Sequence, residues 1–190
     1  MKILIAEDET IIRLDLKDLL ERAGHEVCAE ARDGEEAVAL ARDAQPDLAI
    51  MDVKMPRLDG IEAARRIQDE RSIPIVMLTA YGQDELVSRA AEAGVFGYLV
   101  KPFREQDLLP AIQTARARHD EMQAVREEAE SLADALAARK VIERAKGLLM
   151  AKEGLSEAEA FARLRRASQA SQRPLKVIAE AVVATLGAGT

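Results

Sequence analysis

Four apolar runs in this chain stop abruptly at side chains that could do chemistry. The run from Lys2 to Ala6 ends in Glu7-Asp8-Glu9, and Leu48 to Met51 ends at Asp52. The run Pro74 to Ala80 closes around Thr79, and Phe96 to Val100 stops at Lys101. Three carboxylates, Glu7, Asp8 and Asp52, would repel one another if brought together. A hard divalent cation among them relieves that repulsion, and an oxygen-only set with few protein donors suits Mg²⁺. Lys101 supplies a second positive charge and Thr79 a hydroxyl. The whole set fits a phosphoryl group carried on Asp52: cation on some of its oxygens, Lys101 on another, Thr79 on a third. A carboxylate nucleophile that forms an acyl phosphate is established chemistry. Singly, each residue reads as a helix cap or a surface charge. Their coincidence at four run ends is what points to a site.

That site requires the runs to be parallel strands with their carboxyl ends on one edge, where open α/β sheets bind ligands. Short, unbroken apolar runs are what strands covered on both faces look like. Lys2–Ala6, Glu26–Glu30, Leu48–Met51, Pro74–Ala80 and Phe96–Val100 read as five such strands. Between them lie helical patterns: Ile11 to Leu20 closed by Gly24, Glu35 to Ala44 ended before Pro46, Ile61 to Ile67, and Leu86 to Ala93 stopped by Gly94. Alternating strands and helices make a doubly wound α/β sheet. No Gly-rich phosphate loop follows the first strand, which argues against a dinucleotide or P-loop site. Cys28 is alone, so no disulfide forms within the chain, and it reads as a buried structural thiol. No run approaches the roughly 20 apolar residues of a membrane span, and the N-terminus enters a strand at once. A cytoplasmic protein is expected. His25, in a loop after Gly24, is expected to be inert.

Glu7-Asp8, Asp52 with Met55-Pro56 and Gly60, Leu78-Thr79-Ala80, and Lys101-Pro102-Phe103 resemble the receiver domain of bacterial two-component response regulators. The resemblance covers residues 1–120 and implies a flavodoxin-like, CheY-like five-stranded parallel sheet. It implies that Asp52 accepts a phosphoryl group from a cognate histidine kinase. Mg²⁺ would be held by Asp8 and Asp52, by Glu7 through water, and by the backbone carbonyl of Lys54. Glu7 stands where Asp is common in the family. The resemblance also implies a cis Lys101-Pro102 bond. Tyr98 is either an aromatic on an edge strand or the family's switch residue, moving inward when the Thr79 hydroxyl is drawn to the phosphoryl group. Lys54 and Tyr81 flank the path of a hydrolytic water and are expected to set the acyl-phosphate lifetime.

Beyond Phe103, Leu108, Ile112, Ala115, His119, Met122, Val125, Ala129, Leu132 and Leu136 repeat at spacings of four and three. That pattern is a coiled-coil seam, or else one amphipathic helix lying on its own chain. It makes residues 105–138 a connecting helix that overlaps the last receiver helix. His119 on the seam reads as a packing or helix-end residue. Residues 136–190 read as a small three-helix bundle. Val141, Ile142, Ala145, Leu148 and Leu149 make one core face, Ala160, Phe161, Leu164 and Ala167 a second, and Leu175 to Leu186 a third. Ser156 to Glu159 is a capping box. The net charge of −7 is uneven: residues 1–120 hold 16 basic and 24 acidic side chains, whereas residues 139–176 hold 10 and 4. The basic tail suits a polyanion, or is merely solvated. With no exposed aromatic expected, base stacking is disfavoured. The third helix, with only Lys176 and Glu180 as charges, is poor for reading a DNA groove.

Arg139-Lys140-Val141-Ile142-Glu143-Arg144-Ala145-Lys146-Gly147-Leu148-Leu149-Met150, with Ser156-Glu157, Ala160-Phe161 and Leu164-Arg165-Arg166-Ala167, resembles the ANTAR domain of AmiR- and NasR-type transcription antiterminators. The resemblance implies binding to hairpins in nascent leader transcripts so that a terminator does not fold. Arg139, Lys140, Arg144, Lys146, Arg165 and Arg166 are the expected RNA contacts. Gly147 lets a neighbouring helix or RNA approach closely. The combined expectation is a regulator, not an enzyme, that becomes a homodimer on phosphorylation and binds neither DNA nor membrane. The alternative is a response regulator acting through protein contacts of its helical tail, which replacement of the six basic residues by alanine would leave largely intact.

Overall fold

The structure, a computed structural model, describes residues 1–80 and 93–187. The helix expected over Leu86 to Ala93 therefore lies almost wholly outside the described residues, as does Tyr81. In chain order the described elements are β1 Lys2–Ala6, α1 Thr10–Arg22, β2 Glu26–Ala31, α2 Gly34–Ala44, β3 Leu48–Asp52, α3 Gly60–Glu70, β4 Ile75–Ala80 and β5 Gly97–Lys101. The helices α4 Glu105–Glu153, α5 Glu157–Ser171 and α6 Leu175–Gly187 follow. Two compact units result, Met1–Gln123 and Ala124–Thr190.

In the first unit the strands form one parallel sheet in the order β2-β1-β3-β4-β5. Successive strand residues face opposite ways, and both faces are covered. Ile3, Ile5, Leu48 and Ile50 pack with Leu16 and Leu20 of α1 and with Leu108, Ile112 and Ala115 of α4. Leu4, Ala6, Ala49 and Met51 pack on the other face with Ala37 and Ala41 of α2 and with Ile61, Ala64 and Ile67 of α3. Side-chain caps start the helices next to the sheet's carboxyl edge. Asp33 accepts from the Glu36 N–H at 2.9 Å and Asp59 from the Glu62 N–H at 2.8 Å.

The heptad seam divides in the structure. Its first three positions, Leu108, Ile112 and Ala115, are buried in the first unit's core. His119 packs edge-on against Phe96 with ring centroids 5.2 Å apart, and its Nε2 lies 3.2 Å from Ser72 Oγ. Met122, Val125, Leu132 and Leu136 remain 56–65% exposed. The seam available to a partner is thus 122–136, not 108–136, because the receiver sheet has already taken the front of it. Pro110, which the helical spacing passes over, sits inside α4. Its ring removes one backbone N–H, and burial of Leu108, Ile112 and Ala115 around it holds the helix regardless.

In the second unit Ala145, Leu149, Ala160, Leu164 and Ala179 form a small core, flanked by Val141, Ile142, Leu175, Ile178 and Val182. Its first helix is the far end of α4, not a separate element. The expected capping box is present, with the Ser156 N–H donating to Glu159 at 2.9 Å. Phe161 and Ala167, expected in this core, stand outside it and are exposed, Phe161 by 39%. Gly147 lies mid-helix, and a Cβ there would meet open space among the described residues, which narrows its two readings by removing the neighbouring helix.

Candidate functional site

The sheet register brings the four run ends to one edge. Asp52 pairs opposite Leu78, one residue before Thr79, and Lys101 lies opposite Ala80. Glu7 and Asp8 follow β1, the neighbour of β3. One ligand oxygen from each of Glu7, Asp8 and Asp52 lies within 4.8 Å of the others. Lys101 Nζ donates to Asp52 Oδ2 at 2.9 Å and pairs with Glu7 Oε2 at 2.6 Å. Glu7 is wholly buried, Asp52 and Thr79 are nearly so, and Asp8 is exposed. The Lys101-Pro102 bond is cis.

The electrostatics follow from this crowding. Burial pushes the Glu7 carboxyl above the ordinary glutamate range; the Lys101 hydrogen bond opposes the shift and the Asp52 charge adds to it. For Lys101, burial works against the charged form, but its bonds to Glu7 and Asp52 outweigh it and the pKa rises. The single ammonium thus bridges two of the three carboxylates but offsets only one negative charge. A hard cation fits the rest: the donors are all oxygen, they converge, and one of them opens to solvent.

Two further residues, Arg13 and Asp33, shape the site without having stood out in the sequence, and Gly60 shapes it through its backbone. Arg13 is buried in the same stripe of α1 as Leu16 and Leu20, and its Nη1 donates to the Glu7 carbonyl at 2.6 Å. It also lies 3.7 Å from Glu30, which Lys17 meets at 2.7 Å. An arginine in register with core leucines was the available signal. Asp33, at the start of α2, pairs with Arg57 of the loop after β3. Gly60 donates its N–H to the Val53 carbonyl at 2.9 Å, and a Cβ there would overlap the Asp52 carbonyl oxygen. Tyr98 is half-buried against the α2/α3 core, where burial pushes its phenol up. Lys54 is exposed in the loop after Asp52.

Residues 3–113 match the model of the response regulator receiver domain. This chain is a response regulator. In it, residues 130–183 match the ANTAR domain, so the regulator pairs a receiver with an RNA-binding module. Both domains are regulatory rather than catalytic, and receivers take their phosphoryl group from histidine kinases. The transcriptional regulatory protein PdtaR of Mycobacterium tuberculosis is 50% identical over 186 residues, covering 98% of this regulator and 91% of that protein. The chemotaxis protein CheY of Bacillus subtilis is 41% identical over 112 residues, 58% of this chain and 93% of its own. Among solved structures, the receiver domain of a modulated diguanylate cyclase from Desulfovibrio desulfuricans superposes with a TM-score of 0.59 at 34% identity, covering 64% of this chain and 97% of its own. A CheY from Borrelia burgdorferi, solved in a CheX-CheY-BeF₃-Mg complex, gives 0.57 at 26%, covering 59% and 86%. Among the described residues no helix is long and apolar enough to cross a membrane.

In the regulator's second unit, Arg139, Lys140, Arg144, Arg165 and Arg166 are exposed. Lys146 is not. It is 8% exposed, with its ammonium 3.0 and 3.1 Å from the Glu143 carboxylate and 2.6 Å from Glu157. The hydrogen bond from Lys146 holds Glu157 below the usual carboxylate range. Lys146 is thus a tie between α4 and α5 rather than a cation offered to solvent, because two acids unrelated to it by the core pattern close around it.

Proposed function

We propose that this response regulator accepts a phosphoryl group on Asp52 and uses its ANTAR module to bind hairpins in leader transcripts, preventing terminators from folding. The observation that carries the reading is the convergence of Glu7, Asp8 and Asp52 around Lys101 at one sheet edge. Asp52 Oδ attacks the phosphorus of a kinase phosphohistidine; a P–O bond forms, the P–N bond breaks, and the imidazole keeps the electron pair. Mg²⁺, held by Asp8, Asp52 and the Lys54 carbonyl and by Glu7 through water, would offset the charge of the transferred oxygens. Lys101, already bonded to Asp52, moves to a phosphoryl oxygen, and the buried Thr79 hydroxyl meets another. Tyr98 follows Thr79 inward. The change favours homodimers through the apolar positions 122–136. Two modules then engage two hairpins, a bivalence that raises affinity about 10²–10⁴-fold with no new contact.

The test is binding of the full chain to a paired-hairpin leader RNA, with and without a beryllofluoride mimic and with duplex DNA as control, at several salt concentrations. RNA-selective binding that tightens at least tenfold with the mimic is expected. No RNA binding across a panel of hairpins would instead favour action through protein contacts of the helical tail.

Glu7 gives the site a pH signature. Its raised pKa lets it hold a proton up to a higher pH than a free glutamate does, so a cation bound beside it competes with that proton. Mg²⁺ affinity is expected to climb with pH from the ordinary glutamate range through the raised value, then level off. In the metal-free receiver the sign for stability is opposite. The folded state binds the proton more tightly, so the contribution is full below the unfolded pKa and lost as pH rises through the folded one. Calorimetric Mg²⁺ titrations across this range check it; an equally steep climb in Glu7→Gln would remove Glu7 from the ligand set.

A further inference from the structure

The RNA-binding module keeps a large aromatic side chain at its surface. Phe161 is 39% exposed although Ala160 and Leu164, in the same helix α5, are 0% and 1% exposed. The ring does not stand alone. Lys146 Nζ lies over it, 5.9 Å from its centroid. That ammonium is fixed by Glu143 and Glu157, so it holds the ring in place while having no charge to spare for a phosphate. The surroundings are graded. Met150, 40% exposed, lies one turn beyond Lys146 on the same flank of α4, and Arg139 lies two turns before it. Arg165 lies one turn beyond Phe161 on α5 and is exposed. Arg163, on the other side of α5, is taken up by Glu153. An exposed apolar ring with exposed arginines one and two turns along the helices that flank it is complementary to a nucleotide, whose base is flat and apolar and whose two flanking phosphates are anionic.

We propose that Phe161 is a base-stacking platform: one unpaired base of the hairpin loop lies on its exposed ring beside Met150, while Arg139 and Arg165 meet the adjoining phosphates. This rests on the RNA-hairpin reading and deepens it. Paired bases in a stem are already stacked on one another and have no face to offer, so the platform reads loops and ignores stems. Stacking is indifferent to salt, whereas each phosphate contact adds to the salt slope. The module's six expected RNA cations therefore divide by role. Lys146 orients the ring and carries no phosphate contact. Arg139 and Arg165 carry phosphate contacts at the loop.

The probe is a pool of RNA hairpins sharing one stem and carrying randomised loops, selected on the wild-type full chain with the beryllofluoride mimic present. Wild-type binding by itself tests the RNA reading; the comparisons below test the platform. Phe161→Leu is expected to weaken binding about ten- to hundredfold with the salt slope unchanged, and Phe161→Tyr to restore it. Replacing loop nucleotides one at a time by abasic sites should reveal one position whose loss is large in wild type and absent in Phe161→Leu. Arg139→Ala and Arg165→Ala should each flatten the salt slope by about 0.7–0.9, and Lys146→Met should not. A loop carrying 5-iodouracil at that position should photo-crosslink to the wild-type peptide containing Phe161, which needs no variant to fold. Wild-type affinity in Phe161→Leu, equal losses at every loop position, or a crosslink elsewhere in the chain would overturn the proposal. So would a loss of self-association in Phe161→Leu at unchanged affinity per chain, since a second copy would then be what covers the ring.

Discussion

Asp52→Asn is expected to abolish phosphoryl acceptance altogether while leaving the receiver folded. The amide oxygen occupies the place of Oδ2 and still accepts from Lys101, now bonded at 2.9 Å, so the local packing survives. What disappears is the nucleophile. Neither neighbour replaces it: Glu7 is wholly buried and tied to Lys101, and Asp8 follows a different strand. The variant also loses one of three carboxylates from the acidic cluster, so Mg²⁺ affinity falls with it. Radiolabel transfer from a cognate kinase or a small phosphodonor should drop to background with an unchanged thermal melt. The gain in RNA affinity under phosphorylating conditions should shrink to a factor of one. A persistent gain would separate RNA binding from Asp52.

Gly60→Ala is expected to be nearly as damaging, for a reason unrelated to charge. A Cβ at Gly60 would overlap the carbonyl oxygen of Asp52 and sit 2.9 Å from its carbon and 3.3 Å from the Cα of Val53. These are backbone atoms, which cannot rotate aside as the end of a side chain can. Either the start of α3 or the end of β3 must move, and both position Asp52. Overpacking of this kind costs about 1–3 kcal/mol or more. Misplacing a reacting group by about 1 Å costs on the order of 10²-fold in rate. A lowered receiver melt together with phosphorylation slowed by that order is the expected pair of results. Gly147→Ala is the matched control. A Cβ there meets open space, so helix propensity alone should make that variant neutral or up to about 1 kcal/mol more stable.

The strand ends were readable from sequence because parallel strands announce themselves twice, by an unbroken apolar run and by the polar residue that stops it. Asp52, Thr79 and Lys101 each follow such a run, and the sheet register does the rest. Arg13 was not read, because a charged residue on an amphipathic helix is assigned to solvent unless its partner is known. Here the partner is the Glu7 backbone carbonyl, which has no sequence signature. Lys146 failed in the same way: Glu143 is three residues off, but Glu157 arrives only once α5 has folded back. Phe161 failed for the converse reason. Helical spacing says which side chains share a face, not how far the neighbouring helices extend to cover it. The heptad pattern from Leu108 to Leu136 was legible as a pattern, yet two different surfaces use it in turn, and periodicity contains nothing that marks the handover.

That divided seam has a consequence for the order of assembly. The stretch left open, Met122 to Leu136, is about 22 Å of helix, roughly two heptads. Coiled coils so short are marginal in water. If chains pair through it, their association is weak at ordinary cellular concentrations and depends steeply on how many copies are present. On the proposed reading, two hairpins on one transcript would hold two copies within reach of each other, at an effective concentration in the millimolar range for a short tether. The transcript would then serve as scaffold as well as target: a leader with a single hairpin would gather one chain and lose it, whereas a tandem leader would complete its own regulator.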